Sequence, residues 1–358
     1  MLSGFKQTLK SYFGPATPPA EVAMFSMRFD MRATAMGAPA TELYATAIEM
    51  CAWAEIRGCL GAVLCEHHGS EDGYLPTPLI LASAVAARTE RLALTSVVLL
   101  PLYDPVRLAE EMAVLDIISR GRVSYILGLG YRREEYEHFG VDMGARGRIA
   151  DEYVQLLRRL LRGETVVRDG RRVKVTPPPC TAGGPLLMWG GGSLAAARRA
   201  GKYGLPFLAQ ANVPGSQETY DAACRAHGHE PGMTLLPDRD TPSVCFVAED
   251  IDRAWDELGP YLLHDARTYA DWNPGNETSA GIADVHTVDE LRAISRTYRI
   301  FTVPQAIDHL QSGGMLTLAP LCGGLPPDIA WPYLERVAND VVPELAKTKI
   351  PQTQGVQE

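Results

Sequence analysis

Short apolar segments alternate along the chain with longer segments whose apolar residues recur at helical spacing. Residues 62–65 and 122–129 are of the first kind and are rich in aliphatic side chains. Residues 105–119 and 146–161 are of the second kind, with charged residues on the outer side of the helix that each predicts. Apolar strands separated by amphipathic helices are typical of a parallel sheet covered by helices.

The alternation of predicted strands and helices extends over most of the chain. Strands are predicted at 27–31, 62–65, 91–100, 122–129, 185–189, 205–209, 244–248 and 315–319. Helices are predicted at 41–57, 76–88, 105–119, 146–161, 193–203, 215–226, 251–263, 303–312 and 327–345. About eight strand–helix units favour a (β/α)8 TIM-type barrel, with a doubly wound open sheet as the alternative. We expect one barrel domain over 27–347, preceded by a loose extension at 1–26 and followed by a tail at 348–358.

Two segments depart from the simple alternation. Residues 164–175 alternate polar and apolar positions around Asp169 and Gly170, which predicts a hairpin inserted before the fifth strand. Residues 264–290 contain Asn, Pro, Gly and Thr near their middle and are interpreted as a long loop after the seventh strand. A loop of this length in a compact domain is often a lid over a site.

Composition narrows the classes of partner. The net charge is −9 and no basic stripe is visible, so nucleic acid is not expected as a partner. Seven cysteines without a CxxC pair argue against a disulfide framework and a structural zinc site, and favour a reducing cytoplasm. No apolar run approaches the ~18 residues of a membrane span, so no membrane association is expected.

The end of the second strand carries the densest group of chemically useful side chains. Glu66, His67 and His68 follow the apolar residues 62–65 directly. In a barrel the carboxyl ends of the strands build the active site, so these residues are candidate catalytic acid–base or orienting groups. Two other interpretations stay open: a metal site, and a histidine pair that only closes the strand. Adjacent histidines on a strand point to opposite faces, which disfavours one shared metal ion.

Glycines mark the ends of two further strands. Gly128 and Gly130 follow the fourth strand, where a flat ligand can approach the backbone closely, although a plain tight turn is also possible. Three consecutive glycines end the fifth strand and precede Ser193, a natural helix N-cap, which suggests a phosphate site at the helix amides. Arg148, like Arg146, could reach such a phosphate or form a surface pair with Glu152.

Several of these blocks together resemble the bacterial luciferase-like flavin monooxygenases, and the luciferase alpha subunit in particular. The blocks are "CEHH", "LPLYDPVRLAEEMAVLDIISRGRV", "GLGYRREEYEHFGVDMGARGR", "GGGSLAAARRAGKYGLPF" and "VPQAIDHLQSGG". The resemblance covers nearly the whole chain and implies a (β/α)8 barrel.

The resemblance also implies a flavin site with named residues. His67 matches the family histidine needed for the oxygen chemistry of the flavin. A non-prolyl cis peptide bond beneath the flavin ring is expected between Ser96 and Val97. Gly128 stands where luciferases carry a cysteine. The residues implied to bind the flavin and its phosphate are Ser96, Val97, Gly128, Leu129, Gly130, Tyr131, Arg148, Gly191, Gly192, Ser193 and Leu194.

The implied activity is monooxygenation of a small organic substrate by O2 and reduced FMN, with the FMN supplied by a separate reductase. The family habit also implies a homodimer. Two alternatives stay open on the same fold: hydride transfer with a deazaflavin coenzyme, and a flavin-binding subunit without catalysis. A metal-dependent hydrolase is a third alternative, and it predicts stoichiometric zinc or iron in the purified protein.

Overall fold

The computed structural model describes residues 25–238, 240–274, 282–294 and 296–348. In these parts, ten strands form one sheet in which every pairing is parallel. Its strands are β1 (Phe25–Phe29), β2 (Cys59–Leu64), β3 (Ala93–Leu99), β4 (Val123–Gly128), β7 (Leu187–Gly191), β8 (Phe207–Ala209), β9 (Thr234–Leu235), β10 (Val244–Val247), β11 (Tyr298–Phe301) and β12 (Leu316–Leu318). Their spatial order is β11-β10-β12-β1-β2-β3-β4-β7-β8-β9. The first and last predicted barrel strands, β1 and β12, are therefore neighbours.

Helices follow most of these strands and cover one face of the sheet. They are α1 (Ala40–Ala54), α2 (Pro78–Arg88), α3 (Pro105–Ser119), α4 (Arg133–His138), α5 (Arg146–Leu161), α6 (Leu194–Lys202), α7 (Ser216–Ala226), α8 (Ile251–Trp272), α9 (Val288–Ile294), α10 (Val303–Gln311), α11 (Pro327–Arg336) and α12 (Val342–Thr348). Two begin as the sequence suggests: Asp104 accepts hydrogen bonds from two amides of the first turn of α3, and Ser193 caps α6. No helix in the described parts is long and apolar enough to cross a bilayer.

The two faces of the strands differ in burial. In β1, Phe25, Met27 and Phe29 are buried beneath the helices, whereas Ser26 and Arg28 are partly exposed. Residues paired across neighbouring strands point to the same face, so the register identifies every position on the face that carries Ser26 and Arg28. We call this face the inner face. Its positions are Ser26, Arg28, Gly61, Val63, Thr95, Val97, Ser124, Ile126, Gly128, Met188, Gly190, Leu208 and Thr317. Most of them are partly exposed, so the inner face is open to a ligand.

The predicted hairpin is present. β5 (Val166–Arg168) and β6 (Arg171–Val173) pair antiparallel around Asp169 and Gly170. Both turn residues have positive φ, 49° and 73°, as a tight two-residue hairpin turn requires.

The chain departs from the sequence prediction at several elements. β1 begins at Phe25, so residues 25 and 26 belong to the sheet rather than to an extension; residues 1–24 and 349–358 lie outside the described parts. The short strands β9 and β11 and the helices α4 and α9 were not predicted, because segments of this length carry little periodicity. The predicted closing helix at 327–345 is interrupted by a π-helical turn at Val337–Val341.

The predicted loop at 264–290 is wrong in its first part. α8 continues to Trp272, because Leu262, Asp265, Ala266, Tyr269 and Trp272 recur at helical spacing on one side. Asp265 is fully buried there and bonded to Arg32, which accounts for a charged residue on that side. Residues 275–281 of the predicted lid lie outside the described parts, and residues 288–294 form α9.

Candidate functional site

Glu66, His67 and His68 lie together after β2, at the carboxyl end of the sheet, and all three are buried. Their side chains do not converge on one point. The His68 ring bonds Glu66 through Nε2 and Oε1 at 2.8 Å, while the His67 ring turns to Glu135. The two adjacent histidines therefore point in different directions, as the alternation of side chains along an extended segment predicts.

Glu66 is fully engaged by its neighbours. Its Oε1 also accepts a hydrogen bond from the Tyr103 hydroxyl at 2.7 Å, and its Oε2 accepts one from the Leu99 amide at 2.7 Å. Burial raises the pKa of the Glu66 carboxyl, and the bonds from His68 and Tyr103 oppose that rise. Glu66, bonded to His68 and to the Leu99 amide, thus ties the end of β2 to the end of β3.

His67 has hydrogen-bond partners at both ring nitrogens. Nδ1 lies 2.7 Å from Oε1 of Glu135, and Nε2 lies 3.0 Å from the Tyr131 hydroxyl. Burial lowers the pKa of the His67 imidazole, while the Glu135 carboxylate acts in the opposite direction. Since a carboxylate only accepts, we assign a neutral imidazole with its proton on Nδ1 and a lone pair on Nε2. Nε2 can therefore take up or return a proton when Tyr131 gives way.

Glu135 is a residue that the sequence analysis missed. It lies in α4 with no exposed surface, and the same oxygen that bonds His67 accepts the His68 amide at 3.0 Å. Arg132 supports this corner: its Nη1 donates to the His68 carbonyl at 2.8 Å and lies 3.7 Å from Glu135. In the sequence Glu135 is one of several acidic residues of a polar helix, so only the tertiary contact distinguishes it.

Aromatic rings surround His67. Trp272, Tyr74 and Tyr131 have ring centroids 4.7, 4.9 and 5.2 Å from the imidazole, and Tyr269 lies at 6.3 Å. Tyr269 and Trp272 come from the unpredicted continuation of α8. This part of α8 therefore does what the predicted loop was expected to do, namely cover the site.

A buried charge cluster lies beside the rings. The Arg32 guanidinium donates to Asp265 at 3.2 Å and to Asp72, and it also lies 3.6 Å from Asp30. Burial and the nearby Asp265 raise the pKa of the Asp30 carboxyl to about 6. Asp30, Asp265 and Cys322 have ligand atoms close enough for a metal ion, but the guanidinium already provides the positive charge there.

The predicted flavin-bordering residues fall at the end of β4 and just beyond it. Gly128 lies on the inner face, and a Cβ there would meet Leu99 at 3.8 Å and the Val98 carbonyl oxygen at 3.9 Å, which is ordinary contact. Gly130 has φ of 73°, a conformation that favours glycine. Between them, the Leu129 carbonyl accepts the Tyr136 hydroxyl. Tyr131 follows Gly130, and its hydroxyl lies 3.0 Å from His67 Nε2. The turn after β4 therefore places Gly128 and Gly130 close to His67.

The predicted phosphate residues lie where β7 runs into α6. Gly191 has φ of 142°, and a Cβ there would lie 2.8 Å from Ala196. Ser193 Oγ accepts the Ala196 amide at 3.2 Å, which confirms the predicted N-cap. The amides of Leu194 and of Ala195 precede that bond and have no partner within the helix. Gly192 leaves room beside them, since its Cβ would meet nothing closer than 3.7 Å.

Arg148 is exposed in the first turn of α5. That turn packs beside α6, because the Gly147 carbonyl accepts Arg199 Nη2 at 3.4 Å and Asp151 accepts Arg199 Nε at 2.7 Å. No ion pair joins Arg148 to Glu152 among the described residues, and Arg146 bonds the Met143 carbonyl instead. Arg148 is thus near the helix end without being fixed there.

The prediction of a cis peptide bond between Ser96 and Val97 is wrong. The only cis bond in the described parts joins Thr176 to Pro177, so the bond between Ser96 and Val97 is trans. Ser96 is in register with Leu64 on the helix-covered face and is completely buried, which keeps its side chain from a ligand. Val97 lies on the inner face beside Ile126 and is partly exposed.

Comparison with known proteins identifies the family of the chain. The sequence model of the family described as luciferase-like monooxygenase matches residues 24–297, more than half of the chain. The chain belongs to this family. Members of the family are monooxygenases or oxidoreductases that depend on a flavin or on coenzyme F-420.

Relatives among characterised and uncharacterised sequences match in part. An uncharacterized protein of Sinorhizobium fredii is 31% identical over 131 residues, which cover 36% of this chain and 37% of that protein. The alkanal monooxygenase alpha chain of Photorhabdus luminescens is 28% identical over 178 residues, 47% of this chain and 49% of that protein. The matched region therefore spans less than half the length of these relatives.

Solved structures share the fold over nearly the whole chain. The monooxygenase RslO1 from Streptomyces bottropensis superposes with a TM-score of 0.72 at 23% identity, covering 90% of this chain and 99% of that one. The oxygenating constituent of 3,6-diketocamphane monooxygenase from Pseudomonas putida, in complex with FMN, gives 0.65 at 18%, with the same coverage. An F-420-dependent secondary alcohol dehydrogenase gives 0.63 at 16%, covering 89% and 98%. Luciferase-like structures are TIM-type barrels, which confirms the predicted fold class.

Proposed function

We propose that this protein is a flavin-dependent monooxygenase that uses reduced FMN and O2 to oxygenate a small organic substrate. The observation that carries the proposal is the setting of His67. Its Nδ1 lies 2.7 Å from Oε1 of Glu135, its Nε2 lies 3.0 Å from the Tyr131 hydroxyl, and aromatic rings enclose it. A neutral imidazole in a covered site suits proton transfer near neutral pH.

The residues between β7 and α6 fit the phosphate of FMN. Two amides of the first turn of α6 have no partner within the helix, and the helix dipole adds partial positive charge at that end. Gly191 and Gly192 let an anion approach these amides, since a Cβ at Gly191 would crowd Ala196. Leu194 supplies an amide to this group, and Arg148 lies on the neighbouring helix.

The inner face fits the flavin ring. Gly128 and Gly190 lie on that face without side chains, and Val97 and Ile126 beside them are apolar and partly exposed. A planar ring can therefore lie against backbone and aliphatic carbon near the Tyr131 turn. Gly130 and Leu129 would border its edge.

Reduced flavin supplies two electrons to O2, so that one oxygen atom enters the substrate and the other leaves as water with two protons. His67 holds or returns a proton at Nε2, and Glu135 keeps the imidazole in the required tautomer. Tyr131 occupies Nε2 until the ligands are in place. Tyr269 and Trp272 keep bulk water from the imidazole, which limits unproductive release of hydrogen peroxide.

A deazaflavin coenzyme is the second candidate, and the F-420-dependent neighbour favours it. Its long acidic tail would need free cations near α6. Arg199 is bonded to Asp151, and Arg132 is buried against Trp272 with its Cζ 4.1 Å from the ring. Arg133 and Arg198 are exposed and remain open to such a tail, so we favour FMN on the Glu66–His67–His68 block rather than on the arginines.

The remaining parts of the proposal concern partners. A separate reductase would supply the reduced flavin, and we place the reaction in a reducing cytoplasm, in keeping with free cysteines such as Cys65 and Cys180. We also propose a homodimer, supported by apolar side chains exposed on α2 and α3: Ile80 is 70% exposed and Val114 is 44% exposed.

An anaerobic titration tests the choice of coenzyme. Reduced FMN and reduced deazaflavin coenzyme compete for the purified protein, and O2 is then admitted. Tight binding of reduced FMN, followed by reoxidation at a rate that changes in His67→Asn, is the expected result. Preference for the deazaflavin with no reaction toward O2 would refute the monooxygenase proposal.

A further inference from the structure

Arg28 is the one charged side chain on the inner face in strands β1, β2, β3, β4, β7 and β8, as far as the structure describes them. Its neighbours on that face are small or apolar; Val63 pairs with it in register, and Val97 and Ile126 lie further round the sheet. The Arg28 side chain keeps 20% of its surface exposed. A guanidinium on a strand face that otherwise carries no charge needs a chemical explanation, since the nearby carboxylate of Asp265 comes from α8 and not from this face.

Arg28 makes no hydrogen bond to any described residue. Its Nε and Nη2 are buried without an acceptor. The nearest carboxylate oxygen is Oδ2 of Asp265, 3.8 Å from Nη2, which is too far for a hydrogen bond. Asp265 therefore balances the charge of Arg28 as an ion pair but leaves Nε and Nη2 without hydrogen bonds, and buried donors without an acceptor are costly.

The nearby acids are already occupied. Asp265 accepts Nε of Arg32 at 3.2 Å and the Tyr298 hydroxyl at 2.8 Å. Asp72 accepts from Arg32 and lies 2.8 Å from His264 Nε2. These contacts hold both carboxylates to Arg32 and its neighbours, so they do not complete the hydrogen bonding of Arg28.

The geometry of the unfilled donors indicates the ligand. Nε and Nη2 lie on the same edge of a guanidinium, and this parallel pair matches the two oxygens of a carboxylate. We propose that Arg28 binds a carboxylate of the substrate, so that the substrate is an organic acid; this inference rests on the proposed function. The Tyr269 ring lies 5.8 Å from the Arg28 Cζ and 6.3 Å from the His67 ring.

Matched pairs of acids and amides test this inference. Straight-chain acids from butanoate to dodecanoate, benzoate and phenylacetate, each beside its primary amide, are titrated calorimetrically into flavin-free protein and into protein loaded anaerobically with reduced FMN. The wild type should bind at least one acid tenfold or more tightly than its amide. Arg28→Met should abolish that preference, and Arg28→Lys should retain part of it.

Arg299→Met serves as the matched control, because Arg299 is an exposed arginine on the edge strand β11. It should leave the preference for the acid unchanged. Thermal unfolding of each variant verifies that it is folded, and the lysine variant keeps the test decisive if the methionine variant is not. A wild type without any preference for acids, or an equal preference in Arg28→Met, would overturn the inference. Failure of reduced FMN to bind the wild type would instead overturn the proposed function, since the flavin-free titration still reports on Arg28.

Discussion

Glu135→Gln tests the orientation of His67 without changing the shape of the site. The substitution keeps an oxygen that can accept from His67 Nδ1 and from the His68 amide, which now lie 2.7 and 3.0 Å from the carboxylate. It removes only the negative charge. Hydrogen bonds to a charged partner contribute about 1.5–3 kcal/mol, against about 0.5–1.5 kcal/mol for neutral ones. Two bonds that each lose about 1 kcal/mol lower the free energy of unfolding by about 2 kcal/mol.

Two readouts follow from that value. For a chain of this size about 2 kcal/mol corresponds to a fall of about 4 °C in Tm. The loss of the anion also lowers the pKa of His67 further below its usual range, in the direction that burial already drives it. Long-range ¹H–¹⁵N spectra, with the His67 resonance assigned from His67→Asn, should show a neutral ring protonated on Nδ1 in the wild type.

Glu137→Gln is the matched control, because Glu137 is exposed on the same helix, α4. It should leave both Tm and the His67 resonance unchanged. A wild-type imidazole protonated on Nε2, or a Tm for Glu135→Gln equal to that of the control, would refute the argument that Glu135 sets the tautomer.

Three further predictions concern the flavin site, the charge cluster and the aromatic cover. Gly191→Ala should weaken binding of reduced FMN at least tenfold in an anaerobic titration, because its Cβ would lie 2.8 Å from the Ala196 Cβ in α6. Gly192→Ala is the control and should bind nearly as the wild type, since the nearest atom to its Cβ lies 3.7 Å away. Equal losses in the two variants would contradict the role of the Gly191 backbone. Asp30 has a folded pKa raised from 3.8 to about 6, so its contribution to stability is present below 3.8 and is lost as pH rises through about 6. Asp30→Asn should therefore gain stability relative to the wild type between pH 4 and 8 by up to about 3 kcal/mol in chemical unfolding, and a pH-independent difference would exclude this explanation. Trp272→Ala should raise the hydrogen peroxide released per reduced FMN oxidised, since it uncovers His67; unchanged release would show that Trp272 does not exclude water.

Local sequence determined most of the scaffold. α3 and α5 have the predicted bounds, and the hairpin turns at the predicted Asp169 and Gly170. These elements are specified within a few residues by capping groups, by turn residues and by apolar periodicity, so they need no distant partner. The Ser193 cap belongs to the same class, because the residue that accepts and the amide that donates are three positions apart.

Some residues of the candidate site could likewise be predicted from the sequence, and others could not. His67 and Glu66 were predicted because they end an apolar strand, and strand ends meet at one edge of a barrel. Glu135, Arg32 and Trp272 were not predicted, because each is an ordinary charged or aromatic residue on a helix or a loop until its partner is known.

The sequence by itself determined the order of strands and helices, the family, and the strand ends at which ligands are expected. Only the tertiary structure decided which carboxylate holds His67, that α8 continues to Trp272 over the imidazole, and that Nε and Nη2 of Arg28 have no hydrogen-bond acceptor. The physical reason is range. Backbone conformation follows from interactions between residues a few positions apart, whereas the pairing of Glu135 with His67 and the burial of Asp265 against Arg32 join residues far apart along the chain, and those pairings exist only once the barrel has brought them together.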